Sequence, residues 1–261
     1  MKPTRLIILD NGPENMQLGQ WPDRVVEQVN RPELHIYDVE NPLGHVLVCS
    51  GGGYLRLMHD REGVEVALWL NRLGYSASVL VHRLPGAIHS GDVWPKDIAL
   101  TDAMLALRHI ERNVPLFIMG LSSGGHLAGV IACQPQTKAA GVLIAYAPIN
   151  ANHAEYKYPA GKPDYPPPEK QAFYNDWPIG IAAEPHGLPD CPVFLAYALH
   201  DQAVPIDHAL NIIKAARDTG RDLDAHIFGQ APHGFALRDT DGTHAVWPQL
   251  AAEWMARKIN F

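Results

Sequence analysis

The chain is poor in cysteine. Cys49, Cys133 and Cys191 are three in number, far apart and without metal-ligand spacing, which argues against a disulfide framework and against a thiolate zinc site. A basic stripe is missing as well. The 28 acidic residues outnumber the 21 lysines and arginines for a net charge of −7, spread along the chain, whereas nucleic-acid and anionic-membrane binders cluster positive charge. No long apolar run occurs near the start, because Leu6-Ile7-Ile8-Leu9 is cut off by Asp10-Asn11-Gly12, too short for a signal-peptide core or a membrane span. Fourteen histidines invite a metal reading, yet no His-x-x-x-His or carboxylate-histidine cluster at helical ligand spacing is found, so no metal is expected. These absences together lead to the expectation of a cytoplasmic protein with reduced thiols, whose partner is a small neutral molecule and neither nucleic acid nor membrane.

What the chain does have is apolar content, 47% of 261 residues, enough to bury a large core. No linker divides it, so residues 1–261 are read as one domain. Short β-rich runs at 34–37, 45–49, 77–81, 116–119, 141–145 and 193–197 are apolar at nearly every position, the pattern of strands covered on both faces. Another strand is expected at 224–228. Helical patterns lie between the runs at 62–73, 96–112, 207–217 and 244–259, with Gly74 and Gly220 where helix C-caps belong. Strands alternating with helices predict a mostly parallel sheet of about eight strands, flanked by helices on both faces, with the earliest segments forming an antiparallel edge. Residues 150–189 break the pattern. They are irregular, rich in proline and interleaved with Tyr156, Tyr158, Tyr165, Phe173, Tyr174 and Trp177, and they read either as a cap over a site or as an ordered surface excursion.

Chemistry enters at Gly120-Leu121-Ser122-Ser123-Gly124, a Gly-x-Ser-x-Gly run between an apolar strand pattern and an apolar helix pattern. A serine on such a turn projects its hydroxyl from the sheet edge, and small neighbours are needed because adjacent backbones approach closely. Ser122 is the candidate nucleophile. A serine hydroxyl needs a base to take its proton, and that base must be held in one tautomer by an acid. Asp201 follows the strand pattern at 193–197, and His233 lies in the Gly/Pro-flanked loop after 224–228, giving the order Ser122, Asp201, His233. Rivals can be weighed on position. Asp207 stands where a helix begins and reads as an N-cap, while Asp190 precedes its strand and so falls at the wrong end of the sheet. His126 falls in the first turn after the serine, where packing accounts for it, and His200 at strand spacing points away from Asp201.

Ser50-Gly51-Gly52-Gly53-Tyr54 follows the strand pattern at 45–49. Three glycines let a main chain approach a developing oxyanion, and the amides of Gly52, Gly53 and Ser123 are the candidate donors. A phosphate loop competes for this run, but its lysine is absent. Tyr54, Trp94 and Trp177 are candidate substrate-binding residues through their nearness to these motifs.

Taken in order, the segments 46–54, 67–75, 82–85, 120–128, 201–205 and 233–235 resemble the α/β-hydrolase superfamily. Within it they are most similar to the serine carboxylesterase branch of hormone-sensitive-lipase-like acetyl esterases and of xylan acetyl and feruloyl esterases. Ser50 stands where the lipase-like branch has histidine and the sugar-ester branch commonly has proline. Extended cap helices before residue 34 are absent, which favours the sugar-ester branch. The resemblance implies an α/β-hydrolase fold and hydrolysis of short acyl esters, acetyl above all, of a carbohydrate or other small alcohol, with no cofactor. A peptidase or a longer-chain lipase on the same three residues, and a non-catalytic binding protein of this fold, are the alternatives.

Overall fold

The apolar runs assemble into one central sheet. The computed structural model describes residues 2–111, 113–151, 153, 161, 164–181 and 187–259. It begins with strand β1 (Arg5–Ile8), a ribbon of β2 (Met16–Leu18) and β3 (Val25–Gln28), and then β4 (Glu33–Tyr37) and β5 (His45–Cys49). A π-helical turn at Asp60–Val64 leads into helix α1 (Glu65–Arg72), β6 (Ser76–Val81), a hairpin of β7 (Ile88–His89) and β8 (Asp92–Val93), and α2 (Ile98–Ala106). Then come β9 (Leu116–Leu121), α3 (Ser123–Ala132), β10 (Gly141–Ala145), α4 (Pro168–Asp176), β11 (Val193–Ala198), α5 (Asp207–Thr219), β12 (Leu223–Phe228) and α6 (Trp247–Ile259).

Eight strands pair in the order β1-β4-β6-β5-β9-β10-β11-β12. The β1·β4 and β4·β6 ladders are antiparallel and the others parallel, so the early segments do form the antiparallel edge. Strands β5, β6, β9, β10 and β11 are buried at every position, because helices cover both faces. Side chains alternate between the two layers as the pleat requires. In β9, Leu116 and Ile118 join the cluster beneath α2, α3 and α5, while Phe117, Met119 and Leu121 join that beneath α1 and α6. Among the described residues no helix is long and apolar enough to cross a membrane.

Several boundaries differ from expectation for identifiable reasons. The pattern at 62–73 divides into the π-helical turn and α1, that at 96–112 ends in a 3-10 turn at Leu107–His109, and that at 244–259 starts with a 3-10 turn at Thr243–Val246. Gly220 adopts φ 67° at the end of α5, and Gly74 follows α1 at φ 87°. Asp207 is the first residue of α5 rather than its N-cap, which is Ile206. Within 150–189, residues 152, 154–160, 162–163 and 182–186, Tyr156 and Tyr158 among them, lie outside the described residues. The same stretch holds α4, which the proline run concealed. Pro168 occupies the first turn of that helix, the one place where its missing N–H costs nothing.

The end of β6 is fixed to α2 by a buried ion pair. The guanidinium of Arg83 donates to Asp102, with Nη2 to Oδ1 at 2.6 Å, and the Arg83 amide donates to Oδ2 at 2.7 Å. Nη1 of Arg83 also reaches Asp10 at 3.0 Å. Asp102→Ala leaves a buried guanidinium without its main partner and is expected to lower unfolding free energy by about 3–5 kcal/mol, measured by urea denaturation.

Candidate active site

Ser122 links β9 to α3 with φ 51° and ψ −130°, a conformation that strains any residue with a Cβ. Its surroundings impose the strain. A Cβ on Gly120 would lie 2.0 Å from the Gly124 carbonyl oxygen, and one on Gly124 would lie 2.1 Å from that of Cys49. The turn is held from both sides, as the Ser122 amide donates to Ala145 O at 3.0 Å and its carbonyl accepts from the Gly125 amide at 2.8 Å.

Loops after β11 and β12 bring two further side chains to this edge, the carboxyl ends of the parallel strands. Ser122 Oγ is 3.2 Å from His233 Nε2, and His233 Nδ1 is 2.8 Å from Asp201 Oδ2. The other Asp201 oxygen accepts the amides of Ala203 at 2.7 Å and Val204 at 2.9 Å, which fixes the carboxylate. Donation from Nδ1 to a carboxylate leaves Nε2 as an acceptor facing the serine hydroxyl. The rivals stand elsewhere: Asp207 and His200 are exposed, and Asp190 pairs with Arg221. His126 is buried between Tyr54 Oη, 2.9 Å from Nδ1, and the Trp177 carbonyl, 2.8 Å from Nε2.

The glycine loop after β5 corrects one expectation. The amide of Gly53 donates to Ser123 Oγ at 2.9 Å, so it does not face the Ser122 hydroxyl as a third free donor. The Gly51 amide donates to Glu62 Oε2 at 2.9 Å. Among the described residues the Gly52 amide meets no acceptor, and Ser123, first residue of α3, has no intrahelical acceptor for its own amide. Only glycine fits position 52, since φ is +130° and a Cβ would lie 2.1 Å from Arg56 O.

Beneath this loop lies Glu62, which sequence reasoning missed. Its second oxygen accepts from Tyr146 Oη at 3.2 Å, and the Tyr146 ring meets His233 edge to face at 5.3 Å. Burial holds the Glu62 carboxyl above the usual range, against the opposing pull of the Gly51 amide and His233. Glu62 opened a stretch with a helical surface pattern, and only the π-helical turn directs it inward.

Ser122, His233 and Gly52 open into a cavity of about 580 Å³, with Leu55, Met58, Pro148 and Val204 on apolar walls and Lys170, Gln171 and Tyr174 of α4 on another. None of the three aromatic candidates lines it. Tyr54 is buried at φ 56°, its ring turned into a cluster with His126, Phe173 and Tyr174. Trp94 stacks on His89 at 3.5 Å beside Arg83. Trp177 packs on the core, and its backbone carbonyl holds His126. Among the described residues no group of three histidines, cysteines or carboxylates could hold a metal ion.

A sequence model of the prolyl oligopeptidase family matches residues 89–260, a span that takes in Ser122, Asp201 and His233. The chain belongs to the prolyl oligopeptidase family. It is also similar to an acetylxylan esterase of Xylanibacter ruminicola, with 28% identity over 233 residues, 83% of this chain and 46% of that protein. The chain thus spans about half the length of this curated relative. Among solved structures, an acetyl ester-xyloside bifunctional hydrolase from Caldicellulosiruptor lactoaceticus superposes with a TM-score of 0.69 at 23% identity, covering 98% of this chain and 97% of its own. A carboxylesterase from Lactobacillus plantarum gives 0.66 at 20%, covering 94% and 97%. The fold is that of the α/β-hydrolases.

This member of the prolyl oligopeptidase family buries four neutral histidines in and around the site. Desolvation pushes His126 and His82 down to about 4, and His59 and His208 down to about 3. The unfolded chain therefore takes up protons below about pH 6.5 that the folded chain refuses. Stability is expected to fall as pH drops from about 6.5 towards 4, read as a decreasing urea midpoint; equal midpoints at pH 7 and pH 5 would contradict it.

Proposed function

We propose that the chain is a serine carboxylesterase that removes short acyl groups, acetyl foremost, from a carbohydrate or another small alcohol. The observation that carries this reading is the continuous chain of contacts from Ser122 Oγ through His233 to Asp201, at 3.2 Å and 2.8 Å, at the wall of a cavity of about 580 Å³. Ser122 attacks the ester carbonyl while His233 Nε2 takes its proton, and Asp201 stabilises the resulting imidazolium. The free amides of Gly52 and Ser123 point to an oxyanion site, in which each donor contributes roughly 100- to 1000-fold in rate. His233 then gives its proton to the leaving alcohol, and water repeats the sequence on the acyl-enzyme. No cofactor takes part in this chemistry.

The same groups could cleave a peptide, as the family's name suggests. The ester reading is preferred because the relative matched over 83% of this chain is named an acetylxylan esterase. A reduced, cytoplasmic setting belongs to the same reading.

Hydrolysis of p-nitrophenyl esters from acetate to decanoate is expected to peak at the shortest chains. Ser122→Ala should lower kcat/KM by roughly 1000-fold or more and abolish labelling by a fluorophosphonate. Unchanged hydrolysis in that variant, or cleavage of peptide amides in preference to acetate esters, would overturn the assignment.

A further inference from the structure

One cation in the cavity has no counter-ion among the described residues. Lys170 of α4 lines the space shared with Ser122 and His233 and is only 7% exposed. Among the described residues no carboxylate lies within ion-pair distance of it, and its ammonium sits over the Tyr165 ring at 5.5 Å. A buried charge without a partner is costly, and one aromatic face offsets only part of that cost. Burial accordingly holds the Lys170 pKa below that of a free lysine, and among the described residues no acidic neighbour opposes the shift.

Arg61 lines the same cavity, with Nη2 donating to Gly234 O at 2.7 Å and Nε buried without a hydrogen bond. Glu62, the acidic side chain on the cavity wall, is already bound to Gly51 and Tyr146. In a protein of net charge −7, two cations facing one cavity with unspent donors form a local reversal of sign.

We infer that Lys170, assisted by Arg61, recognises a carboxylate on the ester that enters this cavity, so that the substrate is an anionic ester. This rests on the esterase reading and narrows its substrate class. A carboxylate reaching Lys170 replaces the water that the ammonium lost on folding and makes a charge-assisted hydrogen bond, stronger than a neutral one. The carboxylate can belong to the alcohol or to the acyl half, and two matched pairs of esters separate these sources: 4-acetoxybenzoate against 4-acetoxybenzamide, and the 4-methylumbelliferyl monoester of glutarate against 4-methylumbelliferyl pentanoate.

The expected result is a kcat/KM at least about tenfold higher for the anionic member of one pair. Lys170→Met should remove that preference and Lys170→Arg retain it, which separates loss of charge from loss of folding. No preference in either pair, or a preference that survives in Lys170→Met, overturns the inference while leaving the esterase reading intact. Should no ester be hydrolysed, the esterase reading fails, and the thermal shift with benzoate decides the remainder. A rise in Tm for the wild type but not for Lys170→Met upholds the anion site, and equal responses overturn it.

Discussion

Backbone-to-backbone contact between α3 and the strands β5 and β9 is the constraint on which the site depends. With 2.0 Å and 2.1 Å separating any added Cβ from carbonyl oxygens at positions 120 and 124, the helix can dock only if both residues are glycine. Docking at that distance forces the intervening Ser122 into positive φ, and the amide contact to Ala145 holds it there. Strain of this kind persists only where its surroundings over-determine it. Here they do, because β9, β10 and α3 are buried throughout. The core therefore aims the Ser122 hydroxyl, and nothing about the hydroxyl itself is required for that.

The same contact also positions the glycine loop. Gly124 approaches Cys49 O at the end of β5, so the chain leaving β5 must pass beside the first turn of α3. Ser123 Oγ takes the Gly53 amide and Glu62 takes the Gly51 amide, pinning the loop on either side of Gly52. Glu62 extends the network through Tyr146 to the ring of His233. A loop rich in glycine would otherwise lose much conformational entropy on ordering. Two buried side-chain acceptors hold it on either side of Gly52, whose amide meets no acceptor among the described residues.

The sheet was legible in the sequence because its strands are buried on both faces, and the runs at 45–49 and 141–145 match β5 and β10 residue for residue. Meeting of Ser122, Asp201 and His233 was legible too, since each follows a strand pattern at the same end of a parallel sheet. What failed was inference from nearness along the chain. Tyr54 adjoins the glycine loop, but positive φ turns its ring into the core. Trp94 precedes α2, yet the β7–β8 hairpin carries it away to stack on His89. Glu62 carried no signal, because a charged residue at the head of an amphipathic pattern is ordinarily solvated. Helix α4 was hidden by prolines whose tolerance depends on whether they fall inside a helix or at its first turn.

That helix divides the work of the site in a definite way. The alignment of Ser122, His233 and Asp201 is carried by backbone contacts of the sheet and α3, whereas the cavity wall opposite is carried by side chains of α4. α4 is packed against the body at several points. The Pro167 ring sits where a Cβ on Gly86 would come within 2.4 Å, Lys96 pairs with Asp176, and Phe173 and Tyr174 pack on Tyr54 and His126. His126 in turn bonds the Trp177 carbonyl at the helix's end, so the glycine loop, α3 and α4 share one aromatic junction. Because Lys170 and Gln171 take no part in those ring contacts, either can change the character of the cavity while Ser122, His233 and Asp201 keep their geometry. The character of the cavity and the alignment of Ser122, His233 and Asp201 are thus held by different elements joined through packed contacts, so the first can vary while the second is kept.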